Sequence, residues 1–449
     1  MAVASEGYRD APSTVEPLPS QRHLFQLPDD AVWLNCASRA PMLRETERVG
    51  HLMVSAKNEP WRISDDGVHE RCRALFAQLL GVSPDTIALT PSTSYALSQV
   101  AHNLLRLGCV QPGEVALVLE DQMSSNVYPW QRLCREADAQ LIAVPAPADG
   151  RWTEAIEASW QAVQRRGKRV ALVAVPHYLW TDGSGPVDLE RLGSLCSAEA
   201  RNEASGGRRA VLVVDATQSL GVVPIDVQRC RVDWLACSVH KWLFGPYGLS
   251  FLYAAEEWCN APRSEPLVQD EHNRLGADGD KVLPFDLAKP GYPEEMMAGA
   301  RRFDSGGRPN PILLPMIETA LKQILEWRPE RISATVIPLM DRLLAGARAL
   351  GLSVPPFCAP HIVGVGPGGE DLDALLAPGQ QENVARREAK ETWADMAAAY
   401  LKARRIFVSS RGGTLRTAIH VFNTAADVDA FLAAMNEFVR SHRGKAAAL

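Results

Sequence analysis

The sequence predicts an α/β protein, with a large domain whose mainly parallel sheet lies between helices and a smaller α+β domain after it. Two observations carry this. Between residues 87 and 253 short apolar segments alternate with longer amphipathic ones, and several of the short ones are apolar throughout, as expected of strands covered on both faces. After about Glu326 the pattern changes to a long helix, short strands and a closing helix.

In chain order, residues 1–26 are polar, contain Pro, Asp and Glu, and read as a loose tail that is neither a secretory signal nor a transit peptide. The large domain is expected over residues 27–326, with its N-terminal part able to pack on the small one. Its strands are expected at 87–90, 115–119, 140–144, 170–175, 211–215, 234–238 and 249–253, and helices at 93–105, 128–137, 152–164 and 189–201. The small domain takes residues 327–449, with a helix over 330–350, a turn at Pro355 and Pro356, strands near 361–365 and 406–409, and a helix over 425–441. Residues 366–387, rich in Gly, Pro, Gln, Glu and Asp, read as a surface excursion.

Composition narrows the partners. A formal net charge of -6, with Lys and Arg scattered, provides no basic footprint for nucleic acid. No apolar run of about 18 residues suggests a membrane span. The nine cysteines are widely spaced without a C-x-x-C pair, as expected of reduced thiols in a cytoplasmic protein rather than of a disulfide frame or a metal site. Small-molecule chemistry is what remains.

The segment 211–253, VLVVDATQSLGVVPIDVQRCRVDWLACSVHKWLFGPYGLSFLY, concentrates that chemistry. One buried strand ends in Asp215, the next ends in Ser238, and His240 and Lys241 follow at once. In an open α/β sheet ligands bind beyond the carboxyl ends of the strands, which puts Asp215 and Lys241 where a ligand would sit. A buried lysine with a depressed pKa is a nucleophile for a carbonyl, and a carboxylate beside a heteroaromatic nitrogen keeps that nitrogen protonated.

The order D-x-x-Q, S-x-H-K, G-P-x-G, read at Asp215, Gln218, Ser238, His240, Lys241 and Gly245, resembles the class V aminotransferase group of fold type I pyridoxal 5'-phosphate (PLP) enzymes. That group includes cysteine desulfurases, kynureninase-like lyases and isopenicillin-N-epimerase-like enzymes, and the likeness runs from about Val32 to Val439. It implies PLP held as a Schiff base on Lys241, with Asp215 at the pyridine nitrogen, Gln218 at the ring hydroxyl, and Ser238 and His240 on the phosphate.

Other positions follow from the same resemblance. Ser92, Thr93 and Ser94 open an apolar helix, where free N–H groups and the helix dipole favour a phosphate; Ser92 stands where the family commonly has Gly. Met123 takes the place of the residue that stacks on the cofactor ring, and its thioether can lie against a ring but cannot act as an acid or base. Trp180 stands near a usual Asn and reshapes the substrate pocket, while Asn35 and Arg39 belong to a loop lining its entrance. Arg416 is the expected clamp for the substrate carboxylate, since a guanidinium fork matches a carboxylate. Gly307-Arg308 stands where Gly-Thr is usual, and Arg308 is expected to bring its positive charge to the neighbouring subunit's phosphate in a homodimer that shares its active sites.

The reaction is left open among transamination, C–S or C–C lyase chemistry and epimerisation of an amino acid. Desulfurases of the group carry a persulfide cysteine shortly before the carboxylate Arg, and residues 406–416 contain none; the nearest upstream is Cys358. Desulfurase-like sulfur transfer is therefore the secondary expectation, and a catalytically inactive PLP-fold scaffold is the alternative of another class.

Overall fold

The structure is a computed structural model that describes residues 15–63, 66–259, 277–278, 281–282, 296–306, 310–373 and 382–446. A seven-stranded sheet forms its centre, built from β1 (Ile87–Thr90), β2 (Val115–Leu119), β3 (Gln140–Val144), β4 (Val170–Pro176), β5 (Val211–Asp215), β6 (Trp234–Ser238) and β7 (Ser250–Ala254). Their order is β1-β7-β6-β5-β4-β2-β3; all neighbours are parallel except β7, which runs antiparallel to both β1 and β6. All seven strands lie where the apolar pattern puts them.

The reason those strands are apolar throughout is visible in β5. Leu212 and Val214 face one core layer with Trp160 and Ile156, whereas Val211 and Val213 face the other with Leu97, Val100 and Trp130. A strand covered on both sides has no solvent face to mark with polar residues. The helices Thr93–Arg106, Tyr128–Glu136, Trp152–Gln164 and Leu189–Ala198 supply these layers.

The helix Leu313–Trp327 packs on the helices Arg44–Ala56 and Val68–Leu80, and after it a second unit contains the helix Pro329–Ala349 and a three-stranded antiparallel sheet. Its strands are β8 (Ile362–Val365), β9 (Ser409–Arg411) and β10 (Thr414–Ala418), in the order β8-β10-β9. The helix Ala425–Ala446 closes the chain. Main-chain bonds join the loop after β4 to this unit: the Gly364 N–H donates to Asp182 O at 2.8 Å and the Ala359 N–H to Gly183 O at 2.8 Å. Ser184 and Cys358 add an antiparallel bridge.

Two stretches differ from the sequence reading. Residues 15–26 are not loose: Leu18, Gln21 and Phe25 are buried, and the Gln21 N–H donates to Val421 O at 2.9 Å. Phe25 lies 5.1 Å from both the Phe244 and Phe422 rings, an anchor that the surrounding polar residues conceal. The adjoining strand Val32–Trp33 pairs in parallel with Ile406–Phe407, tying the N-terminal segment to the second unit. The excursion at 366–387 leads into an unexpected helix, Glu382–Ala403. Its buried positions Ala389, Trp393, Ala397 and Leu401 recur every fourth residue, but alanines contrast too little with the polar face for the period to stand out. Residues 374–381 of the excursion lie outside the described residues.

The edge strand β1 is held by a buried charge pair. Arg73, fully buried, donates from Nη2 to Asp304 Oδ2 at 2.7 Å and from Nη1 to Ile87 O, while Asp304 Oδ1 accepts the Leu89 N–H at 2.7 Å. The Asp304→Ala substitution leaves that guanidinium with only part of its partners and should cost about 3 kcal/mol, read as a lower urea midpoint at unchanged slope.

Candidate active site

The carboxyl ends of the parallel strands open onto a cavity of about 340 Å³. Beyond β1 stand Ser92, Thr93 and Ser94; beyond β2, Met123 and Ser125; beyond β4, Tyr178 and Trp180; beyond β5, Asp215, Thr217 and Gln218; beyond β6, Ser238, His240 and Lys241. Residues 247–249, leading into the antiparallel β7, complete the wall. Five separate strands thus deliver polar side chains to one place, although the residues are far apart in sequence.

Asp215 is 7% exposed, and burial raises its pKa; the Thr217 N–H, donated to Oδ1 at 3.0 Å, and the charge of Lys241 act in the opposite direction. No cation lies within ion-pair distance of it among the described residues. Lys241 faces the cavity, yet enough protein surrounds its amine to push the pKa down to about 8. The Asp215 charge partly opposes that shift, whereas Arg416 adds to it. His240 is half-buried, and burial followed by the nearby Lys241 charge holds its pKa at about 4. It is neutral at ordinary pH, with Nδ1 2.6 Å from Ser238 Oγ and its ring stacked on Tyr247 at 4.5 Å.

At the start of the helix Thr93–Arg106 the Ser92 hydroxyl accepts the Tyr95 N–H at 3.1 Å, so the residue in the usual glycine position serves as N-cap. Thr217 ties neighbouring strand ends together: its hydroxyl lies 3.4 Å from that of Thr93 and accepts the Ser238 N–H at 3.3 Å. Gln218 donates from Nε2 to Ala37 O at 3.1 Å and accepts the Trp242 indole N–H at 2.8 Å. Met123 is 41% exposed at the rim.

Arg416, on β10, lies behind this wall rather than in it. Its Nη1 donates to Trp180 O at 2.7 Å, its guanidinium lies 5.7 Å from the Trp180 ring, and its Nε is buried with no partner. Burial and the adjacent Arg411 lower its pKa to about 10, so it stays cationic at neutral pH. The Trp180 indole donates to Asp121 O at 2.8 Å, which locks the ring between cavity and arginine.

Of the residues singled out from sequence, Ser92, Thr93, Ser94, Met123, Trp180, Asp215, Gln218, Ser238, His240 and Lys241 line the cavity together. Asn35 does not; its Oδ1 accepts the Ser409 hydroxyl at 2.5 Å and so ties the N-terminal loop to β9. Arg39 is exposed and also outside the lining. Arg308 lies outside the described residues. Tyr178, Thr217 and Tyr247 were not anticipated. Tyr247 occupies the variable position of G-P-x-G and Thr217 that of D-x-x-Q, so spacing pointed to both places while no residue type marked them.

The residues present fit an anionic aldehyde cofactor such as PLP. An amine of lowered pKa, a buried carboxylate lacking a cation, and hydroxyls at a helix start share the cavity. Next to it an arginine keeps one buried N–H unused.

Residues 64–266 match the family Aminotransferase class-V. A probable cysteine desulfurase of Pyrococcus abyssi is 26% identical over 388 residues, covering 84% of this chain and 84% of the relative. Isopenicillin N epimerase of Streptomyces clavuligerus is 30% identical over 226 residues, which is 49% of this chain and 53% of the epimerase. Among solved structures, the apo cysteine desulfurase of Thermococcus onnurineus superposes with a TM-score of 0.72 at 21% identity, covering 95% of this chain and all of the other.

Without cofactor, competitive labelling of amines followed by peptide mass spectrometry should place the Lys241 midpoint at about 8. The Asp215 charge raises that midpoint and the Arg416 charge lowers it, so Asp215→Asn should move it down and Arg416→Leu up.

Proposed function

We propose that this chain, a PLP-dependent enzyme of the class V aminotransferase type acting on an amino acid, holds its cofactor covalently through Lys241 and works as an aminotransferase or a C–S/C–C lyase. The observation that carries the reading is the lysine of depressed pKa sharing one cavity with a buried carboxylate that has no cation of its own. When bound, the cofactor supplies an electron sink for negative charge at the substrate Cα.

The chain's own residues divide the remaining work. Asp215 holds a proton on the heteroaromatic nitrogen, and the positive charge there offsets the cost of keeping its carboxylate buried. Gln218 would donate toward the ring oxygen, Met123 would lie against the ring, and Ser92, Thr93, Ser94, Ser238 and His240 would hold the phosphate. Arg416 would receive the substrate carboxylate through the N–H left free by its bond to Trp180, which requires the Trp180 ring to move from between it and the cavity. Lys241 takes the proton from Cα and returns it, for which an amine with a pKa of about 8 is suited near neutral pH. Asn35 acts from outside, placing the entrance loop against β9 and β10, and exposed Arg39 stands on the same loop.

Two features support a particular setting. Free, mostly buried cysteines suit a reducing cytoplasm, and no described helix is long and apolar enough to cross a membrane. Exposed Met123 and Tyr247 at the cavity suit cover by a second subunit, to which Arg308 would contribute in a homodimer. We further read residues 27–326 as the cofactor domain and 327–449 as the small domain.

Sulfur transfer like that named for the Pyrococcus relative is the second reading, favoured by that similarity. It lacks its nucleophile: no cysteine lines the cavity among the described residues, and burial pushes the Cys358 thiol up to about 12. Supplying cysteine should therefore leave no persulfide on Cys358 by mass spectrometry; a persulfide there would restore the second reading.

The first experiment is the visible spectrum of wild type and Lys241→Ala with added PLP. Wild type should show a band that borohydride traps onto the peptide carrying Lys241, and the variant should show neither; a colourless wild type would leave the inactive-scaffold alternative. With cofactor bound, Arg416→Leu should raise KM for the amino acid about 10- to 100-fold while the spectrum is unchanged, as expected for loss of a charge-assisted pair.

A further inference from the structure

We propose that His361, which lies outside the cavity on the second unit, is a positioning residue that fixes the Gln218 amide as a hydrogen-bond donor toward the cofactor. The inference rests on the reading that Gln218 faces the ring oxygen. Three distant segments grip this one residue. Its Nε2 donates to Ala37 O at 3.1 Å, its Oε1 accepts from Trp242 Nε1 at 2.8 Å, and its main-chain oxygen lies 2.7 Å from His361 Nε2.

Each contact has only one possible polarity. An indole N–H cannot accept, so the oxygen of the amide must face Trp242 and the amide cannot flip. A main-chain carbonyl cannot donate, so the His361 proton sits on Nε2 and the lone pair on Nδ1, which is buried without a partner. Gln218 therefore has one N–H left to offer, and what it offers the cavity is a donor.

The two groups that hold it brace each other. The Trp242 ring meets the His361 ring edge to face at 4.2 Å and 83°. Trp242 directly follows Lys241, while His361 directly precedes β8, so the grip on Gln218 joins the lysine loop to the second unit. The titratable groups around His361 among the described residues are Tyr178, 6.2 Å away, His177 and His420. Burial keeps the imidazole neutral down to a pH of about 3, so the donor persists at any pH at which the protein works.

A donor held against an oxygen favours negative charge on it, and loosening the donor moves the deprotonation midpoint of the bound chromophore upward. His361→Phe keeps a ring and removes the donor; it should raise the pH midpoint of the visible PLP band by about half a unit and weaken PLP binding roughly threefold. His361→Gln, which can still donate, should recover most of both effects. His420→Phe alters the same aromatic cluster, in which His420 stacks on the Trp242 ring at 5.5 Å, without removing a hydrogen bond to Gln218, and should leave the midpoint in place. Gln218→Ala should shift it at least as far as His361→Phe does. If Gln218→Ala moves the midpoint and His361→Phe does not, or moves it no more than His420→Phe, the role of His361 is overturned alone. If Gln218→Ala leaves it unmoved, the reading of Gln218 falls and takes this inference with it. Should His361→Phe fail to fold, His361→Ala is scored by the same outcomes.

Discussion

The constraint on which the site depends is the cost of keeping the Asp215 carboxylate at the end of a strand buried on both faces. Carboxylates so placed are tolerated when hydrogen bonds and a positive charge meet them. Here the chain provides the hydrogen bond from Thr217 and leaves the charge to be supplied. The neighbouring lysine is a weakened base because protein surrounds its amine, and the Asp215 charge only partly opposes this, without a contact ion pair among the described residues. A contact pair would tie up both groups, whereas a separated pair leaves space between two reactive ends.

Much of this architecture was legible in the sequence because parallel strands buried on both sides leave an unmistakable apolar signature. The seven central strands, with Asp215 and Lys241 beyond two of them, could be placed from pattern and spacing, and the family resemblance pointed to the other residues of the wall. The cavity wall followed, since a strand end is a position in sequence as well as in space. What escaped notice was of two physical kinds. The helix Glu382–Ala403 buries a narrow, alanine-rich stripe, and Phe25 is one apolar anchor in a polar stretch; neither makes a periodic signal. Contacts made through main-chain atoms escaped as well, because any residue type can make them.

Arg416 shows the second limit in detail. Its identity and strand were readable, but not that the Trp180 carbonyl takes one of its donors and that the indole stands between it and the cavity. Trp180 is thus less a replaced polar residue than a partition whose two ends are fastened, one to Asp121 and one to Arg416. Asp121 adopts a left-handed backbone at φ 57, which non-glycine residues seldom do, and its oxygen is the one that receives the indole.

The stitching of the loop after β4 to the second unit has a kinetic consequence. Rotating the two units apart would break the bonds from Gly364 to Asp182 and from Ala359 to Gly183 and drag the Trp180 partition with it. A jaw movement of that kind has to break both of these bonds first, whereas the side chains of Met123 and Tyr247 stand exposed at the rim. Rotamer changes of exposed side chains take nanoseconds or less. Any opening that shifts β10 therefore carries Trp180 with it, and so moves the wall that stands between Arg416 and the cavity.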